Sequence, residues 1–146
     1  IALSALTNKK ITIAGPKHNR HWLNSNPWVL NNPLLLFEFD PSQTRVKELY
    51  QTHEIFLHPS MLEAGHPNLT LLESAACGMP IIGWIEYETD FHGLWRAPRD
   101  ILDMLAGYND IQKKKQQYIQ NSLNTAKELS WLNRSKDIIK IYQQVI

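Results

Sequence analysis

Apolar residues occur along the chain in short uninterrupted runs, separated by longer segments in which they recur at helical spacing. The runs are bounded by turn residues, a pattern typical of strands that helices cover on both faces. Four such strands are predicted, at residues 10–14, 34–39, 54–58 and 81–84. The segments with helical spacing predict helices at residues 42–52, 69–77, 99–106, 111–129 and 133–145.

Two shorter helical segments complete the pattern. Residues 1–6 read as the end of a helix, and residues 20–24 as a helix within a stretch rich in Asn, His, Trp and Pro. Because strands and helices alternate, the chain is predicted to have an α/β fold: a Rossmann-like parallel sheet flanked by helices, with further helices at the C-terminus. A length of 146 residues fits a single domain over residues 1–146.

Capping residues mark two of the five longer predicted helices. Ser42 or Asp40 can cap the start of the first of them, and Asn68 or Thr70 the start of the second. Gly78 follows the second helix and supplies the left-handed residue that ends it.

The second helix also shows a predicted packing face. Leu69, Leu72 and Ala76 share one side and are expected to pack on the sheet. Leu71 and Ala75 extend this apolar surface, and the small residues of the helix allow a close approach.

The composition excludes several classes of protein. The net charge is only +1, and the single basic cluster, Lys113 to Lys115, is interpreted as a solvated helix face, so no nucleic-acid surface is expected. No apolar run is long enough to cross a membrane. The single Cys77 excludes an internal disulfide and fits a reducing compartment, so a cytoplasmic location is expected.

The most informative stretch lies between the third predicted strand and the second helix. It is a loop rich in Gly, His and Pro, with Glu63 inside it and Glu73 one turn into the helix that follows. The first N–H groups of a helix have no partner within the helix, so a strand that leads into a helix through such a loop forms an anion site. The phosphates of a nucleotide are the expected ligand.

The same residues carry a resemblance to a known family. The pattern Ser60-x-x-Glu63, a Gly/Pro loop, and then L-E-S-A-A-C-G-M-P-I-I at residues 72–82 is similar to the donor-binding signature of GT-B glycosyltransferases, in particular the retaining family 4. Nine residues separate Glu63 from Glu73, where seven are usual in that family. Residues 128–131 (E-L-S-W) are similar to the start of the family's closing segment.

The resemblance implies a role for each candidate site residue. Glu63 would contact the transferred sugar at the reacting centre, and Glu73 would accept hydrogen bonds from the ribose hydroxyls of the donor. Backbone N–H groups for the phosphates or the sugar would come from Gly65, His66, Asn68 and Leu69.

The residues alone leave other interpretations open. Glu73 could be a solvated carboxylate that the helix dipole stabilises, and Glu63 a loop carboxylate without a partner. Lys17, His18 and Arg20 follow the first predicted strand, where they could meet a nucleotide or form a solvated loop.

The histidines and the cysteine do not have the spacing of a metal site, so no metal and no cofactor apart from the substrate are expected. His58 is interpreted as a packed residue at a strand end, and His66 as a candidate donor to phosphate.

The function implied by the resemblance is transfer of a sugar from a nucleotide diphosphate-sugar to a hydroxyl of a glycan, lipid or small-molecule acceptor, in polysaccharide or glycoconjugate biosynthesis. Residues 1–146 would then be the donor-binding half, without its first strand and without the N-terminal acceptor domain, and inactive in isolation. The full-length enzyme could associate peripherally with a membrane. Two alternatives are a sugar-nucleotide epimerase-like GT-B enzyme and a non-catalytic nucleotide-sugar-binding domain.

The last predicted helix carries an apolar stripe formed by Ile138, Ile141, Tyr142 and Val145. In enzymes of the resembled family, the last helix often crosses back to the first domain. A bare stripe would fit that arrangement, and ordinary packing in the core of this domain is the alternative.

Overall fold

The computed structural model describes residues 1–17, 20–58, 69–83, 91, 93–96 and 100–145. The strands within these ranges are β1 (Ile11–Gly15), β2 (Leu35–Phe39), β3 (Phe56–His58), β4 (Ile81–Gly83) and β5 (Leu94–Arg96). The helices are α1 (Ala2–Thr7), α2 (Arg20–Asn24), α3 (Pro27–Leu30), α4 (Gln43–Thr52), α5 (Leu69–Ala76), α6 (Ile101–Lys113), α7 (Lys115–Glu128) and α8 (Trp131–Val145).

The strands form two parallel sheets. In the first, β1 pairs with β2, with Ile11 opposite Leu35. In the second, the order is β3-β4-β5, with Phe56 opposite Ile81 and Ile81 opposite Leu94. Helices join the strands and flank both sheets, so the predicted Rossmann-like α/β fold is confirmed, including its C-terminal helices.

The core shows that helices cover the second sheet on both faces. Ile81 and Ile82 are consecutive in β4 and fully buried, and their side chains point to opposite faces. Ile81 packs in a cluster with Leu71 of α5, whereas Ile82 packs in another cluster with Ile111 of α6. Burial on both faces explains why the strand sequences are apolar runs rather than alternating patterns.

The capping prediction for α4 is confirmed at Ser42, whose hydroxyl oxygen accepts a hydrogen bond from the Arg45 N–H at 3.2 Å. Asp40 has a different role. Its backbone is left-handed, with φ at 47°, and its Oδ1 accepts a hydrogen bond from the Lys17 N–H at 2.9 Å. Asp40 therefore fastens the turn after β2 to the turn after β1.

The apolar surface predicted for α5 is confirmed at Leu71 and Ala75 and wrong at Leu69 and Ala76. Leu69 is 65% exposed and Ala76 is exposed, while Leu71 and Ala75 are completely buried. The difference arises because α5 packs against α7 as well as against the sheet, and the two contacts together bury the side that carries Leu71, Ser74 and Ala75. Only Leu72 of the predicted face is partly buried, at the margin of the core cluster.

The predicted break at residues 107–110 is also wrong, because α6 continues through Gly107 and ends at Lys113. Gly107 is needed for close packing: a Cβ built there would lie 2.4 Å from Cδ1 of Trp95 in β5. The helix stops at Lys114, whose ammonium group binds Asp110 at 2.8 Å.

Helix α8 leaves its apolar stripe bare. Ile138, Ile141 and Tyr142 each expose more than half of their surface, and the exposed Trp131 begins the helix. Of the two arrangements left open by the sequence, the structure supports the uncovered one for these three residues. Within the described ranges, no helix combines the length and the apolar character that crossing a membrane requires.

Candidate functional site

The carboxyl ends of β3, β4 and β5 meet at one edge of the second sheet. Their last residues are in register, with His58 opposite Gly83 and Gly83 opposite Arg96. Ligands of open α/β sheets bind at this edge. Arg96 was missed in the sequence because β5 is only three residues long and its strand was not predicted. It brings an exposed guanidinium to the same edge as His58.

His58 is packed rather than available as a base. Its side chain is only 5% exposed, and its ring lies 5.9 Å from that of Phe56 on the same face of β3. Gly83 allows this packing, because a Cβ there would come within 2.9 Å of the His58 Cβ and of its carbonyl oxygen. The interpretation of His58 as a packed strand-end residue is confirmed.

Helix α5 ends as predicted. Gly78 has φ at 74°, its N–H donates to the Ala75 carbonyl at 2.9 Å, and the Met79 N–H donates to the Ser74 carbonyl at 3.0 Å. These two bonds form a Schellman motif, which turns the chain sharply into Pro80 and β4. The C-terminal end of α5 is therefore joined closely to β4.

Glu73 lies one turn into α5 with its side chain exposed. Its neighbour across the helix interface is Tyr50 of α4, which stacks edge-on against Phe56 with ring centroids 5.6 Å apart. Burial, together with the smaller effects of the negative charges of Glu73 and Cys77, raises the pKa of Tyr50 to about 12. The carboxylate of Glu73 is open to solvent, and its charge acts on this half-buried phenol.

This neighbourhood predicts a measurable change in titration. Replacing Glu73 by Gln removes a negative charge next to Tyr50, so the pKa of the phenol should fall. ¹³C NMR of ring-labelled tyrosine, assigned with Tyr50→Phe, measures it, and Glu128→Gln on the exposed end of α7 is the matched control. An unchanged Tyr50 pKa in Glu73→Gln would contradict the placement of the two side chains.

The raised pKa of Tyr50 also has a consequence for the stability of the fold at high pH. A tyrosine in the unfolded chain ionises near pH 10, whereas Tyr50 in the folded chain ionises at about 12. Between these values the unfolded state has lost the proton and the folded state retains it. Stability should therefore decrease as the pH rises through this interval, and Tyr50→Phe should make that decrease smaller.

A second concave region lies at the carboxyl edge of the first sheet. Its volume is about 370 Å³, and its walls are formed by Lys17, Arg20, His21 and Asn24. The Arg20 guanidinium lies 5.7 Å from the centre of the Phe39 ring. Lys17 and Arg20 are exposed, and Arg20 begins α2 rather than lying in a loop.

The remaining candidate residues lie either in α5 or outside the described residues. Leu69 is the first residue of α5, so its N–H belongs to the first turn of the helix, while its side chain points to solvent. Thr70 lies inside α5 and is not the residue that precedes it. Outside the described residues lie Glu63, Gly65, His66 and Asn68, together with His18.

In the part of the chain that the structure describes, no group of three or more His, Cys, Asp or Glu side chains could hold a metal ion. Comparison with models of known protein families and with curated proteins found no match for this chain.

Proposed function

We propose that this chain is the donor-binding half of a retaining glycosyltransferase that moves a sugar from a nucleotide diphosphate-sugar to a hydroxyl acceptor. The observation that carries the proposal is the β3–α5–β4 unit. Its helix begins at the carboxyl edge of a parallel sheet, exposes Glu73 one turn in, and ends at Gly78 in a Schellman motif. The resemblance of residues 72–82 to the donor-binding signature concerns this same unit.

In this proposal Glu73 binds the ribose of the donor. A carboxylate can accept hydrogen bonds from two adjacent hydroxyls, and the exposed side chain of Glu73 is accessible to a ligand. The charge of Glu73 acts on the phenol of Tyr50 in α4, so Tyr50 belongs to the surroundings of the carboxylate. The neighbouring phenol keeps its proton at neutral pH, so it is a hydrogen-bond donor there.

The phosphates are assigned to the start of α5. Breaking the bond between the anomeric carbon and the diphosphate leaves negative charge on the diphosphate, and stabilising that charge is the main demand of the reaction. The first N–H groups of a helix have no partner within the helix, and those of α5, including that of Leu69, are proposed for this role. Gly65, His66 and Asn68 complete the proposed phosphate and sugar contacts, and Glu63 is the proposed catalytic residue.

The biological setting is part of the proposal. The acceptor would be a glycan, a lipid or a small molecule, and the enzyme would act in the cytoplasm, with no nucleic-acid partner. An N-terminal acceptor domain would complete the active site, and the full-length enzyme could associate peripherally with a membrane. No resident metal is assigned to the reaction.

Calorimetric titration with UDP, GDP and ADP tests the donor site. We expect saturable binding of one of the three nucleotides. Glu73→Gln should weaken it by about 10- to 100-fold, because a hydrogen bond to a charged group contributes roughly 1.5–3 kcal/mol. Glu128→Gln, an exposed carboxylate on α7, should leave the affinity unchanged.

Two results would contradict the proposal in different ways. Failure of all three nucleotides to bind would contradict the donor site itself. Binding that is equally strong in Glu73→Gln would leave a nucleotide site but remove Glu73 from it. A nucleotide-binding chain whose full-length protein transfers no sugar would favour the epimerase-like or non-catalytic alternative.

A further inference from the structure

The cavity at the carboxyl ends of β1 and β2 is surrounded by side chains that can donate hydrogen bonds. Its volume is about 370 Å³, and the described residues that line it are Lys17, Arg20, His21 and Asn24. Their side chains end in an ammonium, a guanidinium, an imidazole and an amide, and each of these groups carries N–H donors. No carboxylate belongs to this set of residues, which is here called the basic cavity.

Hydrogen bonds between two turns fix the backbone that carries Lys17. The Asp40 N–H donates to the Gly15 carbonyl at 3.0 Å, and the Lys17 N–H donates to Oδ1 of Asp40 at 2.9 Å. Gly15 ends β1 and Asp40 directly follows β2, so both bonds lie where the two paired strands end. Because α/β sheets bind ligands at the carboxyl ends of their parallel strands, the basic cavity lies at the ligand edge of the first sheet.

Arg20 is positioned by an aromatic ring rather than by a carboxylate. Its guanidinium lies 5.7 Å from the centre of the ring of Phe39, the last residue of β2. The ring attracts the cation without accepting its N–H groups in the way that a carboxylate does. Among the described residues, no carboxylate forms an ion pair with Arg20 or with the ammonium group of Lys17.

The lack of a counter-ion distinguishes the basic cavity from the basic side chain of α4. Arg45 forms ion pairs with both Glu38 and Glu48, so its charge is neutralised within the fold. Lys17 and Arg20 instead place two positive charges around one cavity. Their mutual repulsion is relieved when an anion lies between them.

We propose that the basic cavity binds the phosphate group of a small phosphorylated molecule. A phosphate monoester carries about two negative charges at neutral pH and three oxygens that accept strong hydrogen bonds. The charges of Lys17 and Arg20 balance those of the ester, and the N–H groups of His21 and Asn24 add further donors to its oxygens.

The size and lining of the basic cavity favour a small polar molecule over a nucleoside. None of the four lining side chains is aliphatic or aromatic, so a base would have no ring to stack on and no apolar wall. The volume of about 370 Å³ lies at the lower end of the roughly 300–1,000 Å³ of small-molecule sites. It leaves room for a sugar-sized group attached to the phosphate.

This inference goes beyond the proposed function, because the basic cavity belongs to the first sheet. The proposed donor site lies at the carboxyl edge of the second sheet, around the start of α5 and Glu73. The phosphate bound in the basic cavity is therefore not part of the donor diphosphate, and each site can be tested without the other.

¹⁵N NMR spectra recorded while glucose 6-phosphate is added to the chain test the inference. We expect saturable shifts of the backbone amides of Lys17, Arg20 and His21 and of the Nε–H of Arg20. Inorganic phosphate should shift the same signals. Glucose, which has no phosphate, and acetate, which has one charge and two oxygens, should not shift them at the same concentrations.

Charge-removing variants identify the groups that bind. Lys17→Gln and Arg20→Gln should each weaken the binding of glucose 6-phosphate by about 10- to 100-fold, because each removes hydrogen bonds between charged groups. Lys47→Gln removes one exposed cation from α4 and is the matched control, which should bind unchanged. Since Arg20 also contacts Phe39, Lys17→Gln tests the loss of charge without the loss of that contact.

Three results would overturn the inference: no saturable shift with either phosphate compound, equal affinity in Lys17→Gln and Lys47→Gln, or equal shifts with acetate. Shifts of the same signals by UDP, GDP or ADP at lower concentrations than glucose 6-phosphate would assign the cavity to the nucleotide and overturn it as well. Shifts at Lys17 and Arg20 with glucose 6-phosphate, without any nucleotide shift at Leu69 or Glu73, would support the inference and contradict only the donor site.

Discussion

Leu71→Ala should lower the free energy of unfolding by about 3 kcal/mol, within the range measured for large-to-small changes in protein cores. Leu71 is 0% exposed and packs with Ala75, Ile81 and Phe91 between α5, the sheet and α7. Truncation removes buried methyl groups and leaves a cavity. Because α5 packs against both the sheet and α7, it cannot readily move to close that cavity. Urea denaturation, followed by circular dichroism, measures the change.

Leu69→Ala is the matched control, because it makes the same substitution in the same helix, two residues away. Leu69 is mostly exposed, and we expect its truncation to change stability by less than about 0.5 kcal/mol. Equal losses for the two variants, or a larger loss at Leu69, would mean that α5 is rotated relative to the orientation described here.

Gly93→Ala should be about as destabilising, near 3 kcal/mol, which is the upper end of the range for overpacked sites. A Cβ at Gly93 would lie 2.2 Å from Ser122 Oγ, 2.7 Å from the Ser122 Cα and 2.8 Å from its N. Two of these three atoms are backbone atoms of α7, so a change of side-chain rotamer cannot relieve the clash. The Gly93 carbonyl also accepts the Ile81 N–H, and displacing it weakens the link between β4 and β5.

Combining Gly93→Ala with Ser122→Ala distinguishes a clash with the hydroxyl of Ser122 from a clash with its backbone. The second change removes the hydroxyl but leaves the backbone of α7 in place, and it loses the buried hydrogen bond from Ser122 to the Met79 carbonyl. We therefore expect no recovery of stability in the double variant. A double variant as stable as the wild type would show that α7 does not approach Gly93 as closely as described.

Much of the fold could be predicted because its signals are local. Each of the four apolar runs in the sequence forms a strand. Ser42 caps the start of α4 with its hydroxyl, and Gly78 adopts the left-handed backbone that ends α5. Helix α3 was not predicted because four residues cannot show a helical period, and β5 was not predicted because it contains only two apolar residues, Leu94 and Trp95.

The errors come from contacts that are distant in sequence. The buried side of α5 depends on α7, which follows it by almost forty residues, and no pattern within α5 shows that Leu71 rather than Leu69 is covered. Gly107 lies inside α6 because the packed Trp95 side chain leaves no room for a Cβ at this position. In a sequence, a glycine more often suggests a helix end. Both are tertiary effects that override local preference.

The candidate site was also predicted only in part, and its residues from distant segments were missed. The exposure of Glu73 follows from its place in α5, and the sequence identified it by spacing. Nothing in β5 alone connects Arg96 with the carboxyl edge of the second sheet, and nothing in α4 alone connects Tyr50 with Glu73. Glu63 and the loop amides keep the roles proposed for them from the resemblance.

The most direct test of the proposed donor site is a map of backbone amide shifts in ¹⁵N NMR spectra as UDP, GDP or ADP is added to the chain. We expect one nucleotide to shift the amides of Leu69, Glu73 and Gly83, at and beside the carboxyl edge of the second sheet. The amides of Ile11 and His53, at the opposite ends of the strands, should not move. Shifts confined to Ile11 and His53, or no shifts with any of the three nucleotides, would contradict the donor site.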